Sequence, residues 1–170
     1  MVQIPEAVDE NSETFKAGYK NIAEISKERL RRAIKKHDLK AGFKVFSLAP
    51  TNYNITKSYD SDDMKALLEL EKLSTKKPLI DNFNPINLVY EIILKQGFSL
   101  NAKIEHKDDF YLIKDNELDR KLAITLQNPI NTKQIESLKL TTDDILVCLD
   151  KSLTDTQKVN FLRNFNLRVI

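Results

Sequence analysis

The stretch DDILVCLD, residues 143–150, carries the strongest fold signal in this 170-residue sequence. Residues 145–149 are apolar on both alternating faces, which is typical of a strand buried inside its sheet. Helical patterns flank it at Thr132–Leu138 and Thr154–Phe165, and a closing strand is predicted at Leu167–Ile170. Strands separated by short helices predict an α/β fold with parallel pairing around the 145–149 strand.

The remaining elements are predicted from the same kinds of pattern. A helix begins at Pro85 and ends before Gly97, a residue suited to a left-handed C-terminal cap. Three short strands are then predicted at Ala102–His106, Phe110–Lys114 and Lys121–Leu126. Upstream, the patterns predict a strand at Val2–Ile4, a helix at about Asn21–Lys36, a strand at 43–49, and a helix from Ser61 through MKALLELEKL.

We therefore predict an α/β chain with a small mixed or parallel sheet flanked by helices and an N-terminal amphipathic basic helix. Residues 1–40 form an arm and the basic helix, and residues 41–170 form the C-terminal α/β domain. The helix at 85–96 is apolar on most sides and is therefore expected to be buried.

Composition excludes several classes of protein. The three glycines, Gly18, Gly42 and Gly97, are isolated, so neither a P-loop nor a dinucleotide-binding loop can be built. The single cysteine, Cys148, permits no internal disulfide, and the N-terminus lacks a secretory signal pattern, which favours a cytoplasmic location. No apolar run approaches the roughly 18 residues that a membrane span needs.

The basic stretch KERLRRAIKKH, residues 27–37, is the main candidate for a functional surface. Residues 20–40 hold eight Lys or Arg against three acidic residues, a balance of +5, whereas the rest of the chain sums to −3. Such asymmetry indicates a phosphate-contacting face. The simpler interpretation, which the spacing favours, is a solvated face that Glu24 and Glu28 partly neutralise.

One arginine in this helix differs from the others. Arg29 falls between Ile22 and Ile25 on the helical wheel, so we expect an inward charge that needs a partner, either a carboxylate in this chain or a group in another domain. The candidate residues for contact with DNA or a neighbouring domain are Arg29, Arg31, Arg32, Lys35 and Lys36.

No catalytic constellation or metal site is predicted. Cys148, inside its apolar strand, is interpreted as a small core residue, and Asp150 as a cap or turn residue. His37 and His106 are far apart and have no carboxylate at metal-ligand spacing. We therefore expect no catalytic residue and no metal ligand in this chain.

Several segments resemble, in order, the C-terminal part of type III restriction-modification DNA methyltransferases, the Mod subunits. They are VQIPE, AGYKNIAEISKERLRRA, GFKVFSL with the Asn52-Tyr53 pair, LKQGFSL, DNEL, ILVCLDKSL and NLRVI. One departure is that Ala49-Pro50 follows GFKVFSL, where the family usually carries an Asp and, further on, a Trp. The resemblance spans nearly the whole chain.

The resemblance implies an adenine-specific enzyme that transfers a methyl group from S-adenosylmethionine to DNA after flipping the base. This chain lacks the family's Asp-Pro-Pro-Tyr type motif and its Phe-x-Gly-x-Gly type cofactor loop. It is therefore interpreted as a truncated, non-catalytic fragment that serves assembly or DNA positioning and binds no cofactor itself. In related methyltransferases the VQIPE strand ends near the cofactor ribose, so Gln3 and Glu6 are the expected remnants of a cofactor site.

The implied partners are the remainder of the methyltransferase, the companion restriction subunit and possibly DNA, with no membrane contact. A second hypothesis, from a different class, is a free-standing protein-interaction module that docks through Ile22, Ile25 and Ile34 and has no role in methylation.

Overall fold

The computed structural model describes residues 2–54 and 77–170. The chain divides into two compact units, Met1–Ser47 and Leu48–Ile170. The sequence prediction placed this boundary after residue 40. The helix predicted from Ser61 through residue 73 lies outside the described residues.

The N-terminal unit contains two helices, α1 (Glu13–Lys16) and α2 (Ile22–Lys36). The Asn21 side chain accepts a hydrogen bond from the Glu24 amide, at 2.9 Å, and so satisfies a donor that the first turn of α2 leaves free. The predicted basic helix is thus confirmed in part. Its burial is only partial, because Ile22, Ile25 and Ile34 all keep some exposure.

Both strands predicted in the N-terminal part of the chain are wrong. Residues 2–4 and 43–49 have no regular secondary structure, and the bridge in this part of the described chain joins Ala7 to Asn21. Strand composition alone does not make a strand, because each one needs a neighbour to pair its backbone N–H and C=O groups. Neither segment forms a β-bridge with the described residues.

The C-terminal unit is built on a five-stranded sheet with the order β1-β2-β3-β4-β5. Its helices are α3 (Pro85–Lys95), α4 (Thr132–Ser137) and α5 (Asp155–Phe161). Its strands are β1 (Lys103–Lys107), β2 (Phe110–Lys114), β3 (Lys121–Thr125), β4 (Ile145–Cys148) and β5 (Asn166–Val169).

The sheet is mixed, which confirms the α/β class. Strands β1, β2 and β3 form an antiparallel meander, whereas β3, β4 and β5 are parallel. The parallel half follows from its connections, since α4 and α5 supply the crossovers that parallel strands require. The short turns at 108–109 and 115–120 permit only antiparallel pairing in the other half. Strand β4 has a neighbour on each side, as its apolar sequence predicted.

Two apolar clusters cover the two faces of the sheet. On one face, Leu88, Val89 and Ile92 of α3 pack against β-strand residues such as Leu122 and Val147. On the other face, α4 and α5 contribute Ile135 and Phe161, which pack with residues such as Phe110, Leu146 and Cys148. The described buried residues all lie between Asn52 and Leu167. The hydrophobic core therefore belongs to the C-terminal unit.

The ends of α3 agree with the sequence prediction. Asn84 accepts hydrogen bonds from the amides of Ile86 and Asn87, and Pro85 occupies the first helical position. Gly97 adopts φ = 75° just after the helix, a conformation that costs a glycine little.

Candidate nucleic-acid interface

Helix α2 is held in the N-terminal unit mainly by its first turn. The Ile22 amide donates to the Glu6 carbonyl at 3.0 Å, and the Val8 amide donates to the Lys20 carbonyl at 3.1 Å. The Lys20 amide donates to the Glu24 carboxylate at 3.0 Å. These bonds fix the start of α2 and leave the basic C-terminal half without backbone contacts to other segments among the described residues.

The five predicted contact residues lie on one side of α2. With 100° between successive residues, Arg29, Arg31, Arg32, Lys35 and Lys36 fall within an arc of about 160°. All five are exposed. The arc faces solvent, and the basic residues of the last turn also suit the negative end of the helix dipole.

Two carboxylates, those of Glu24 and Glu28, lie within this arc. Glu28 accepts a hydrogen bond from Arg32 Nε at 2.8 Å and lies 3.9 Å from Arg31 Nη1. Arg32 also donates to the Tyr19 hydroxyl at 3.3 Å, and the hydrogen bond to Glu28 is the largest cause of its raised pKa. The predicted partial neutralisation by Glu28 is therefore present. The Glu24 carboxylate accepts its hydrogen bond from the Lys20 amide, a neutral donor, so its charge also offsets part of the positive charge of the arc.

Three of the five cations are not neutralised. Within residues 2–54 and 77–170, no hydrogen bond or ion pair is formed by the side chain of Arg29, Lys35 or Lys36. Five cations and two carboxylates leave a net charge of +3 on the exposed arc. An exposed cationic arc of this kind can contact successive phosphates without paying a large desolvation cost.

The expectation of an inward Arg29 is wrong. Arg29 is exposed, although its wheel position lies in line with Ile22 and Ile25. The physical reason is that no residue of α2 is buried, so the apolar side of its first turns does not continue as an enclosed face at Arg29. Arg29 therefore needs no internal partner and joins the other four exposed cations.

The two predicted remnants of a cofactor site are exposed. The Gln3 side chain donates to the neighbouring Ile4 carbonyl at 3.1 Å, and Glu6 contributes its backbone carbonyl to the Ile22 amide. Both residues lie in the N-terminal segment before α1. Within the described residues, the side chains of Gln3 and Glu6 form no hydrogen bond or ion pair with any of the five cations.

Apolar side chains of the N-terminal unit are also exposed. No residue from 2 to 47 is fully buried. Val2 is 98% exposed, Val45 57%, Phe46 44% and Leu30 41%. These exposed apolar side chains are spread along the N-terminal unit from residue 2 to residue 46.

The described residues of the C-terminal unit include one cysteine and one small cleft. Cys148 is buried, and burial is the main cause that raises its thiol pKa to about 11, which makes it a poor nucleophile. The described residues contain no group of three or more His, Cys, Asp or Glu side chains that could hold a metal ion. A cleft of about 160 Å³ beside Lys107, Phe110 and Gln134 is smaller than the roughly 300 Å³ at which ligand pockets begin.

Sequence reasoning did not single out Glu91, a carboxylate of the C-terminal unit that accepts three hydrogen bonds. Glu91 of α3 accepts hydrogen bonds from the Thr51 hydroxyl and from the Asn52 amide and side chain, and Lys95 lies 3.6 Å from it. The ammonium group of Lys95 lies 3.2 Å from the ring centre of Tyr53. The signal available in the sequence was the polar-aromatic run at 51–53, but nothing there identified its partner on α3.

Comparisons with known proteins add no family assignment. No protein-family model matches the chain, and neither the curated proteins nor the solved structures contain a match. Across the described residues, no helix has the length and apolar character needed to cross a membrane.

Proposed function

We propose that this chain is the C-terminal, non-catalytic part of a type III restriction-modification adenine-specific DNA methyltransferase. In that role it serves assembly or DNA positioning in an enzyme that uses S-adenosylmethionine. The order of the motifs from VQIPE to NLRVI suggests this family. The observation that carries the proposal is that the N-terminal unit has no buried residue although its apolar side chains are large.

The exposed apolar groups support the assembly role. Fully burying an apolar side chain contributes about 1.5–3 kcal/mol, so a unit that leaves a residue such as Val2 98% exposed forgoes that stabilisation. The methyltransferase portion that carries the cofactor and target-binding motifs is the body that would cover them. The companion restriction subunit is the second partner in this proposal, and the bacterial cytoplasm is its location.

The exposed cationic arc of α2 supports the DNA-positioning role. Each phosphate contact by an exposed Lys or Arg adds about −0.9 to the slope of log affinity against log salt. Replacing Arg31→Glu together with Lys35→Glu removes two such cations without disturbing a buried group. We expect duplex binding to weaken and the salt slope to become shallower by about 2.

This experiment uses fluorescence anisotropy with a labelled duplex and the complete chain. The matched control is Lys133→Glu with Lys151→Glu, which makes the same charge change at exposed sites of the C-terminal unit. Equal weakening by both double variants would show that net charge, and not the α2 arc, governs binding. That outcome would contradict the DNA-positioning role.

The non-catalytic part of the proposal has a separate test. Isothermal titration of the chain with S-adenosylmethionine should give no binding heat, because the glycine-rich cofactor loop is absent from the sequence. A micromolar dissociation constant would overturn this part of the proposal and would direct attention to Gln3 and Glu6.

A free-standing protein-interaction module is the second candidate, and the partly exposed Ile22, Ile25 and Ile34 of α2 favour it. Light scattering coupled to size-exclusion chromatography discriminates between the two candidates. A stable oligomer that Ile25→Asp disperses, together with no affinity for duplex DNA at low salt, would favour the module.

A further inference from the structure

Strand β5 lies at one edge of the sheet and pairs only with β4. The Asn166 amide donates to the Asp144 carbonyl and the Ile170 amide donates to the Cys148 carbonyl, each at 2.9 Å. Because backbone groups alternate in direction along a strand, the N–H and C=O groups of Leu167 and Val169 point away from β4. No other described segment supplies hydrogen-bond partners for these four groups.

The opposite edge of the sheet is protected in the usual way, whereas β5 is not. Strand β1 has three charged side chains among its five residues, Lys103, Glu105 and Lys107, and such charges discourage a further strand from adding. Strand β5 has one, Arg168, and its Val169 is 47% exposed. The β5 edge therefore has backbone groups without a partner among the described residues, and few charged side chains that would discourage a further strand from pairing with it.

The charged residues of β5 and of the segment that leads into it are all basic. Residues 161–170 contain Arg163 and Arg168 and no acidic residue. Both arginines are exposed, and neither forms an ion pair within the described part of the chain. An incoming strand with an acidic residue opposite Arg168 would gain a favourable cross-strand pair.

The same charge disfavours pairing with a second copy of the chain. In the two-fold antiparallel register that uses all four outward backbone groups of both copies, Leu167 pairs with Val169 of the other copy. This register would also place the two Arg168 side chains directly opposite each other, and like charges in that position are destabilising. A different segment, with complementary charge, is the better occupant.

We propose that the β5 edge docks an extended acidic segment of a partner protein, which adds to the sheet as a sixth strand. The backbone groups of Leu167 and Val169 provide up to four hydrogen bonds, Arg168 selects an acidic side chain, and Val169 packs beside an apolar one. This site is in the C-terminal unit and does not depend on the α2 arc or on the proposed role in methylation.

The test is amide hydrogen exchange, read by NMR, on the complete chain with a synthetic nine-residue probe. The probe alternates Val and Thr and has a central Glu. Its binding should slow exchange at the Leu167 and Val169 amides. Arg168→Glu should weaken binding about tenfold or more, which is a common effect of placing like charges opposite each other. Val169→Pro should abolish binding without lowering the unfolding midpoint, because the N–H that it removes points away from β4.

Two controls match these changes. A probe with a central Lys should not bind, and Lys133→Glu on α4 should leave binding of the acidic probe unchanged. Failure of millimolar acidic probe to protect the two amides would overturn the proposal, as would equal binding of both probes. Protection that grows with protein concentration alone would assign the edge to a second copy, and protection by a DNA duplex would assign it to nucleic acid. Either result also overturns the proposal.

Discussion

Glu91 connects the segment at 51–54 to α3 and has an unusual electrostatic environment for a partly exposed carboxylate. Burial by itself would raise the pKa of Glu91, but the hydrogen bonds from Thr51 and Asn52 and the charge of Lys95 outweigh it and lower the pKa. A carboxylate with a lowered pKa in the folded protein stabilises the fold when ionised. That stabilisation is fully present when the pH is above the pKa of an ordinary Glu side chain. It is lost as the pH falls through the lower pKa that Glu91 has in the folded protein.

We predict that Glu91→Gln lowers the free energy of unfolding by about 1–3 kcal/mol at neutral pH, because an amide has a single acceptor oxygen, which cannot serve both Thr51 and Asn52, and no charge to attract Lys95. Urea unfolding followed by circular dichroism measures this loss. The control is Glu136→Gln on α4, an exposed residue with no side-chain partner in the described chain, which should change stability by less than about 0.5 kcal/mol. Equal effects of the two changes would show that the Glu91 hydrogen bonds contribute nothing specific.

Asp144, just before β4, is the second carboxylate that joins distant segments. It is 2% exposed and accepts hydrogen bonds from the Lys121 amide at 2.6 Å and from the Thr141 amide at 2.8 Å. Burial by itself raises the pKa of Asp144. The hydrogen bonds from the two backbone amides and from the Thr141 hydroxyl lower the pKa by more than burial raises it, so the net shift is downward. The ionised Asp144 therefore contributes its full stabilisation when the pH is above the pKa of an ordinary Asp side chain. This contribution is lost as the pH falls through the lower pKa that Asp144 has in the folded protein.

We predict that Asp144→Asn costs about 1–3 kcal/mol at pH 7 and that the difference from the wild type shrinks in acid. Urea unfolding at pH 7 and at steps below pH 4 measures both effects. Asp143→Asn is the matched control, because the neighbouring Asp143 is exposed. A loss that stays constant at every pH would show that ionisation of Asp144 is not its source.

Residue-scale prediction from the sequence succeeded where a local pattern decided the outcome and failed where distant partners decided it. Pro85 and Gly97 act through the backbone of their immediate neighbours, so both ends of α3 could be predicted. The partners of Glu91 lie about 40 positions away, and no local pattern indicates them. The helical wheel gave Arg29 the correct direction but could not show whether that side of α2 is enclosed.

At the scale of whole elements, α2 and the sheet differ in how much burial supports them. No residue of α2 is buried, whereas all four residues of β4 are. Local opening is favoured where few apolar contacts must be broken. The helix is therefore held mainly by its own hydrogen bonds, its Asn21 cap and the Glu28 pairs.

We predict that amides in the last two turns of α2 exchange with deuterium far faster than amides of β3 and β4. Exchange followed by mass spectrometry on the complete chain measures the contrast. The helix α3, of similar length and with four buried residues, is the internal control and should exchange slowly. Protection in α2 as strong as in α3 would show that a covering surface for α2 exists within the chain itself.

The elements themselves could be predicted well in the C-terminal unit and poorly in the N-terminal unit. The helices at 85–95 and 132–137 and the strands from 103 to 148 form where periodicity and turn residues indicated. The segments at 2–4 and 43–49 have the composition of strands but no neighbour to pair with in the described residues. Whether a segment pairs depends on the other strands of the folded protein. The sequence of that segment alone therefore cannot show that it will remain unpaired.

At the scale of the whole molecule, the two units make different contributions. The described core residues all belong to the C-terminal unit, and the exposed cationic arc belongs to the N-terminal unit. Stability and the proposed DNA contact should therefore be separable. The α/β class could be predicted from the sequence because alternating helices and strands require it, whereas the distribution of burial between the units required the structure.

Removal of residues 1–47 tests the central claim most directly, with duplex affinity measured against salt for the complete and the shortened chain. The complete chain should bind at low salt with a log-log slope of up to about −4.5, the value for five phosphate contacts. The shortened chain should keep its unfolding midpoint, because it retains both apolar clusters, and should lose nearly all of this affinity. An unchanged affinity and slope in a folded shortened chain, or no binding by the complete chain at low salt, would contradict the proposed role of α2.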